Sequence, residues 1–360
     1  MKRAAKRPTK RASAVKRKSP TKRASAIKRA SATKSKSAPK KAAAKKPAPR
    51  RGRGGRPHGI VQINPKHLAG LVSHASTAGA IAPGFTPQRG LNLKFKGGRT
   101  LPDLSYRIFY LDAARWADSD MQNIDASLSG AMTDPPLNNV IQQYFPDGPI
   151  RTTFLGSSRL NGAVEATFDR DNVNPVISGL IDDGTLGGVD FDTTVICLML
   201  PPGAILSTDA AGGVGKLVGD DDADSSQEGL GGYHGSCHIG DQRVYFAVGV
   251  FSQFIDGQPN GIPVFADPWK NVVATFYHEL CEARTDPDVE DANRNNDKSV
   301  LGWYADVDGG GEIGDIPMNE AGEAGNPRLV MVEVRLANGN TAPIQLMWSN
   351  AVAGPQGPFG

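Results

Sequence analysis

The sequence predicts a mixed α/β (or α+β) globular body behind a long, disordered cationic arm, and three observations predict it. Charge is segregated: residues 1–56 hold 23 of the 41 Lys and Arg and no Asp or Glu, so the other 304 residues carry a net charge of −19. Large apolar side chains are segregated the same way. Residues 1–56 lack Leu, Phe, Trp and Tyr and, beyond Met1 and small residues, offer only Val15 and Ile27. From residue 104 onward, strand-like and helix-like stretches alternate at lengths ordinary for one α/β domain.

The arm comes first in the chain. It buries too little apolar surface to offset the entropy of ordering it, so it is expected to be disordered in isolation. Lys-Arg-Ala-Ser-Ala occurs at 10–14, 22–26 and 28–32, a period too short and too polar for a solenoid. The arm ends in Arg50-Arg51-Gly52-Arg53-Gly54-Gly55-Arg56, an RGG-like patch. With Ser19-Pro20-Thr21-Lys22 and Pro8-Thr9-Lys10, its composition resembles the tails of linker histones and the basic arms of bacterial nucleoid proteins. Each Lys or Arg that neutralises a phosphate releases condensed counterions without needing a fold. Nucleic acid is therefore the expected partner, without sequence specificity, through Lys10, Arg11, Lys22, Arg23, Lys28, Arg29, Lys40, Lys41, Lys45, Lys46, Arg50, Arg51, Arg53 and Arg56.

Several classes are excluded at this level. No apolar run reaches the roughly 18 residues of a membrane span, so no membrane partner is expected. No apolar segment follows the basic start as in a secretory signal, which favours an intracellular, nucleic-acid-associated protein. Cys197, Cys237 and Cys281 cannot all pair and lack C-x-x-C spacing. Residues 57–98 read as a transition in which His58, His67 and His74 have no metal-ligand spacing.

The body is expected over 99–352, with 353–360 a flexible end. Leu104–Leu111 has strand character, and Asp112 caps a helix running through Trp116, Met121, Ile124 and Leu128. Pro135-Pro136 opens a helix over 137–145. Strands follow near 151–155 and 163–168, then a helix near 176–182 and a buried strand over 193–200 that stops at Pro201-Pro202. Residues 213–232, rich in Gly and Asp, read as a long loop. Two further strands fit 243–251 and the neighbourhood of Val264.

The chemistry follows Asp267-Pro268, a helix start with a capping residue and Pro at the first position. Over 268–284, Trp269, Val272, Val273, Phe276, Leu280 and Ala283 form one apolar stripe. His278 and Glu282, one turn apart, lie together on the other side, with Glu279 beside them. His278-Glu279-Leu280-Cys281-Glu282 resembles the H-E-x-x-H helix of zinc peptidases and implies a zincin-like body. The i and i+4 side chains there grip zinc, and the Glu after the first His is the general base. Here Glu282 replaces the second His, which makes the ion a weaker Lewis acid. Glu312 or Asp315 is expected to complete the site from the Gly-rich stretch 309–315. Zinc is the expected ion. Calcium is the alternative, because Asp291-x-Asn293-x-Asn295-x-Asp297 has partial EF-hand spacing, although it lacks Gly at position six and Glu at twelve.

The order H-E-L-x-E-x-x-T-D-P, then Gly302-Trp303-Tyr304, then Gly311-Glu312-Ile313-Gly314-Asp315, then Gln345-x-x-Trp348-Ser349-Asn350 resembles the exordium (phosphate-induced) family. Trp116, Gln143-Tyr144-Phe145 and Gly232-Tyr233-His234-Gly235 fit the same pattern, so the resemblance spans roughly 100–352. It implies one domain but no established activity, and plant members are described as secreted. His234, Asp286 and Tyr304 become expected neighbours of the site. The resulting expectation is a metal-dependent hydrolase, foremost a zinc peptidase acting on peptide or protein. The alternative is a non-catalytic nucleic-acid-associated protein whose metal site is structural or vestigial.

Overall fold

The computed structural model of the chain describes residues 60–62, 79–208, 225–307, 311–323 and 325–358. The cationic arm, His58, His67, His74 and most of the Gly- and Asp-rich stretch at 213–232 lie outside the described residues.

A six-stranded sheet forms the centre. Its strands are β1 (Ile60–Gln62), β2 (Asp103–Tyr110), β3 (Arg151–Arg159), β4 (Thr194–Met199), β5 (Leu230–Ile239) and β6 (Gln242–Gly249). Their spatial order is β1-β5-β6-β4-β2-β3. β3, β2, β4 and β6 run parallel, and β5 returns antiparallel beside β6 with β1 antiparallel on its outer edge. Side chains alternate between the two faces. Tyr106, Ile108 and Tyr110 share one face with Val195, Cys197, Met199, Tyr245 and Ala247. Phe109, Ile196, Leu198, Val244, Phe246 and Val248 share the other. Burial on both faces is why Val195–Met199 reads as an unbroken apolar run.

Helices cover both faces. α1 (Asp118–Thr133), α2 (Pro135–Gln142) and α4 (Pro268–Thr285) belong to the core of the first face, and α3 (Arg170–Asp182) packs Val173, Ile177 and Leu180 on the second. Asp134 separates α1 from α2 and accepts a hydrogen bond from the Leu137 amide, with Pro135 at the first helical position. Asp169 caps α3 through a reciprocal box: its carboxylate accepts from the Asp171 amide, and Asn172 Oδ1 accepts from the Asp169 amide. α5 (Val289–Asn295) and α6 (Asp315–Glu323) follow α4, and a hairpin of β7 (Met331–Arg335) and β8 (Thr341–Gln345) lies against α4.

The structure departs from the sequence expectations in identifiable places. Asp112 is not the cap of α1; it takes a left-handed conformation at a single 3-10 turn, and α1 starts at Asp118. α3 begins six residues before the expected 176, because Pro175 inside it reads as a boundary. The strand expected near Val264 is absent, and a short hairpin pairs Gln253–Ile255 with Gln258–Asn260 instead. The body also reaches beyond 99–352. Ala82 donates to the Pro355 carbonyl, Gln88 to that of Ala353, and Gly354–Gln356 pairs with Met347–Ser349 and is buried. These segments join through backbone bonds and through scattered apolar side chains such as Ala82, Phe85, Leu91 and Leu93, whose spacing has no helix or strand period. A Cβ on Gly354 would meet the Ile81 side chain at 2.3 Å.

Candidate metal centre

α4 is the spine of the site. Its apolar stripe faces the core as expected, but its polar side is not a surface: His278, Glu279 and Glu282 are all 0% exposed. Three segments cover that side, one of them β5, which brings His234 against Glu279 and Glu282. The turn leading into α6 presents the Gly314 and Asp315 amides, which donate to Glu282 Oε1 at 3.1 and 3.0 Å. The end of β8 presents Gln345, whose Oε1 lies 2.9 Å from His278 Nδ1 and whose amide nitrogen donates to the Gly314 carbonyl at 2.7 Å. A helix polar on one side and buried on all sides must find partners for its charges, since an uncompensated buried charge costs several kcal/mol.

Two groups of side chains converge there. In the first, ligand atoms of His278, Glu282 and Asp315 lie within 4.8 Å of one another. His278 Nε2 is 3.0 Å from Glu282 Oε2 and 3.7 Å from Asp315 Oδ1. His278 Nε2, Glu282 Oε2 and Asp315 Oδ2 are buried without a hydrogen bond. In the second group, ligand atoms of His234, Glu279 and Glu282 lie equally close. His234 stands on β5 and points its Nδ1 at Glu279 Oε2, 3.2 Å away, and at Glu282 Oε2, 3.5 Å away. Its Nε2 is 3.1 Å from the Asp286 carbonyl oxygen and 3.4 Å from Glu312 Oε1.

The far sides of these donors are already fixed. Gln345 orients the His278 ring, two amides hold one oxygen of Glu282, and a carbonyl holds His234. Such outer contacts are what aim ligands at a metal ion. Of the inward atoms, His278 Nε2, Glu282 Oε2 and Asp315 Oδ2 are left without a hydrogen bond, while His234 Nδ1 meets Glu279 Oε2.

The electrostatics follow from burial. Burial drives the Asp286 carboxyl up to about 8, and the amide of Gly302, which donates to it, only partly offsets this. Burial and the neighbouring Glu282 carry Glu312 and Asp315 well above the usual carboxylate range. Burial alone would raise Glu282, but the contacts with His278 and His234 outweigh it and bring it to about 2. Burial would lower His234, yet Glu279 and Glu282 raise it to about 10.

These shifts give a signed expectation for metal-free protein. Asp286 keeps its proton in the folded state at pH values where the unfolded chain has lost it. Its stabilisation is complete below about 4 and is lost as pH rises to about 8. His234 acts in the same direction between about 6.5 and about 10. Glu282 has the opposite sign and matters only as pH falls from about 4 toward about 2. Calorimetry in the presence of chelator is therefore expected to show Tm falling from pH 5 to pH 8.5, and added zinc to restore it most at the upper end. A metal-free Tm that rises over that range would contradict the assignment.

Of the residues expected from sequence, His278, Glu282 and Asp315 come together as one ligand set, and Glu279 and His234 join Glu282 in another. Glu312 stands behind His234, and Asp286 and Tyr304 are buried close by, with no hydrogen bond to the Tyr304 hydroxyl. The calcium-compatible loop is not a loop. Residues 289–295 form α5, and Asp291 pairs with His238 and Arg294. Helical geometry puts Asn293 on the side opposite Asp291 and Asn295, so the three cannot wrap one ion.

Gly314 and the outer role of Gln345 escaped the sequence reading. A Cβ on Gly314 would sit 2.5 Å from His278 Nδ1. Gly314→Ala is expected to displace the imidazole, cost roughly 1–3 kcal/mol of stability and weaken zinc binding at least about tenfold. Gly322→Ala, in α6 with open space around it, is the control and is expected to be neutral or slightly stabilising. Thermal unfolding and zinc titration of both variants check this. No helix among the described residues is long and apolar enough to cross a membrane. No protein-family model, curated protein or solved structure matches the chain.

Proposed function

We propose that the body is a divalent-metal-dependent hydrolase, a zinc peptidase in its simplest form, and that the cationic arm of residues 1–56 holds it to nucleic acid. The observation that carries the first half is the set His278, Glu282 and Asp315, whose ligand atoms converge within 4.8 Å while their outer contacts are fixed by Gln345, Gly314 and the Asp315 amide. Nitrogen and oxygen donors without sulfur suit zinc, and three protein ligands leave a position open. A bound zinc ion supplies Lewis acidity. Glu279, adjacent to His278 and 3.2 Å from His234, is the carboxylate placed to accept a proton. The assignment of peptide as substrate rests on the resemblance of the His278–Glu282 helix to that of zinc peptidases.

The test is cleavage of a broad peptide library by full-length protein with and without zinc. Activity is expected to vanish on chelation and to fall roughly 10²–10⁴-fold in Glu279→Gln. One observation favours a second reading: no side chain of the first set is more than 4% exposed. A wild-type protein that binds zinc but cleaves nothing supports a nucleic-acid-associated protein whose ion is structural.

A further inference from the structure

We infer that the buried cluster is built for two divalent cations bridged by Glu282; this deepens the metal-centre reading and rests on it. The positions of the imidazole protons come first. A carbonyl can only accept, so the Gln345 amide nitrogen must face Gly314, which turns Gln345 Oε1 toward His278 Nδ1. That oxygen accepts in turn, so Nδ1 carries a proton and Nε2 is the ring atom left for a metal ion. On His234 the Asp286 carbonyl oxygen faces Nε2, so a proton is there and Nδ1 is the atom left for a metal ion. Glu312 Oε1, 3.4 Å from the same Nε2, adds an outer carboxylate behind the ring.

The inward ring nitrogens both face carboxylate oxygens: His278 Nε2 those of Glu282 and Asp315, His234 Nδ1 those of Glu279 and Glu282. Each such place is shaped for a cation between ring and carboxylates, a proton in the metal-free protein and a metal ion when one is bound. There are two of them, and Glu282 is the residue they share. Its Oε1 is held by two amides, while its Oε2, which has no hydrogen bond, faces both histidines. This is a bridging position.

The number of donors points the same way. Glu279, Glu282, Asp286, Glu312 and Asp315 are all buried here beside two histidines, more donors than one four-coordinate ion takes. With the second ion on His234, Glu279 Oε2 and Glu282, Glu279 Oε1 has no hydrogen bond and is the oxygen left to accept a proton. Two ions there would stabilise both the attacking and the leaving oxygen of a hydrolysis.

The experiment is a zinc titration of chelator-stripped, full-length protein, followed by calorimetry and elemental analysis. About two equivalents are expected for wild type, and about one each for His234→Gln and Asp315→Asn. One equivalent in wild type, unchanged in His234→Gln and lost in His278→Ala, overturns the second ion and leaves the metal centre standing. No zinc at all overturns both. Should a variant fail to fold by near-ultraviolet circular dichroism, cobalt-loaded wild type decides: a magnetically coupled resonance signal supports two bridged ions, and an isolated-ion signal overturns them.

Discussion

Glu282→Gln is expected to abolish tight zinc binding by the full-length protein while leaving it folded. Glu282 is the one residue common to both ligand sets, so its loss cannot be absorbed by either. The variant keeps an oxygen where the Gly314 and Asp315 amides donate, so the turn into α6 stays anchored. Its amide nitrogen then takes the place of Oε2 between His278 Nε2 and His234 Nδ1, and a donor there cannot hold a cation. Affinity is expected to fall by more than the 10–100-fold typical of losing an outer contact. Metal-free Tm should fall below that of wild type at neutral pH, because the ionised Glu282 is favoured in the fold by its contacts with His278 and His234 and the amide loses them. Elemental analysis and Tm with and without zinc check both halves. A variant that retains wild-type zinc overturns the assignment of Glu282.

Deleting residues 1–56 is expected to eliminate nucleic-acid binding rather than reduce it. That segment holds 23 positive charges and no negative ones, and the remainder carries −19. Binding by the whole chain should be steeply salt-dependent, with log affinity against log salt falling by about 0.9 per duplex phosphate neutralised, and should vary little with sequence. The acidic body should repel the same duplex and compete for the arm at low salt. Salt titrations of whole and truncated protein against unrelated duplexes check this. Equal binding by the truncated protein would place the partner on the body.

Much of this was legible in the sequence, and what was not has physical causes. The central strands announced themselves because burial on both faces forces apolar runs such as Val195–Met199. α4 was legible because its apolar stripe has helical period, and the spacing of His278 and Glu282 put them on one side. That the polar side is interior was not legible. The covering groups are the Gly314 and Asp315 amides, Gln345 and His234, which carry no hydrophobic signal. His234 could be linked to the site only through a motif resemblance, because strand pairing of β5 with β6 decides where it points. The segments at 79–98 and 353–358 join the body through backbone bonds and through apolar residues such as Leu91 and Leu93 spaced without a period, neither of which composition records.

The donors and their supports stand at 234, 278–286, 312–315 and 345, so four stretches spread over more than a hundred residues must meet before the site exists. No fragment of the chain contains it. While the protein is being made, the α4 pair His278 and Glu282 is complete long before Gln345 emerges, and one His and one carboxylate on a lone helix hold an ion only weakly. Capture of metal should therefore be the closing event of folding rather than its seed. The parallel strands around it, joined by distant crossovers, are themselves slow to assemble. In refolding from denaturant, zinc uptake followed by an indicator dye should track the slowest phase seen by tryptophan fluorescence, and adding zinc earlier should not hasten that phase.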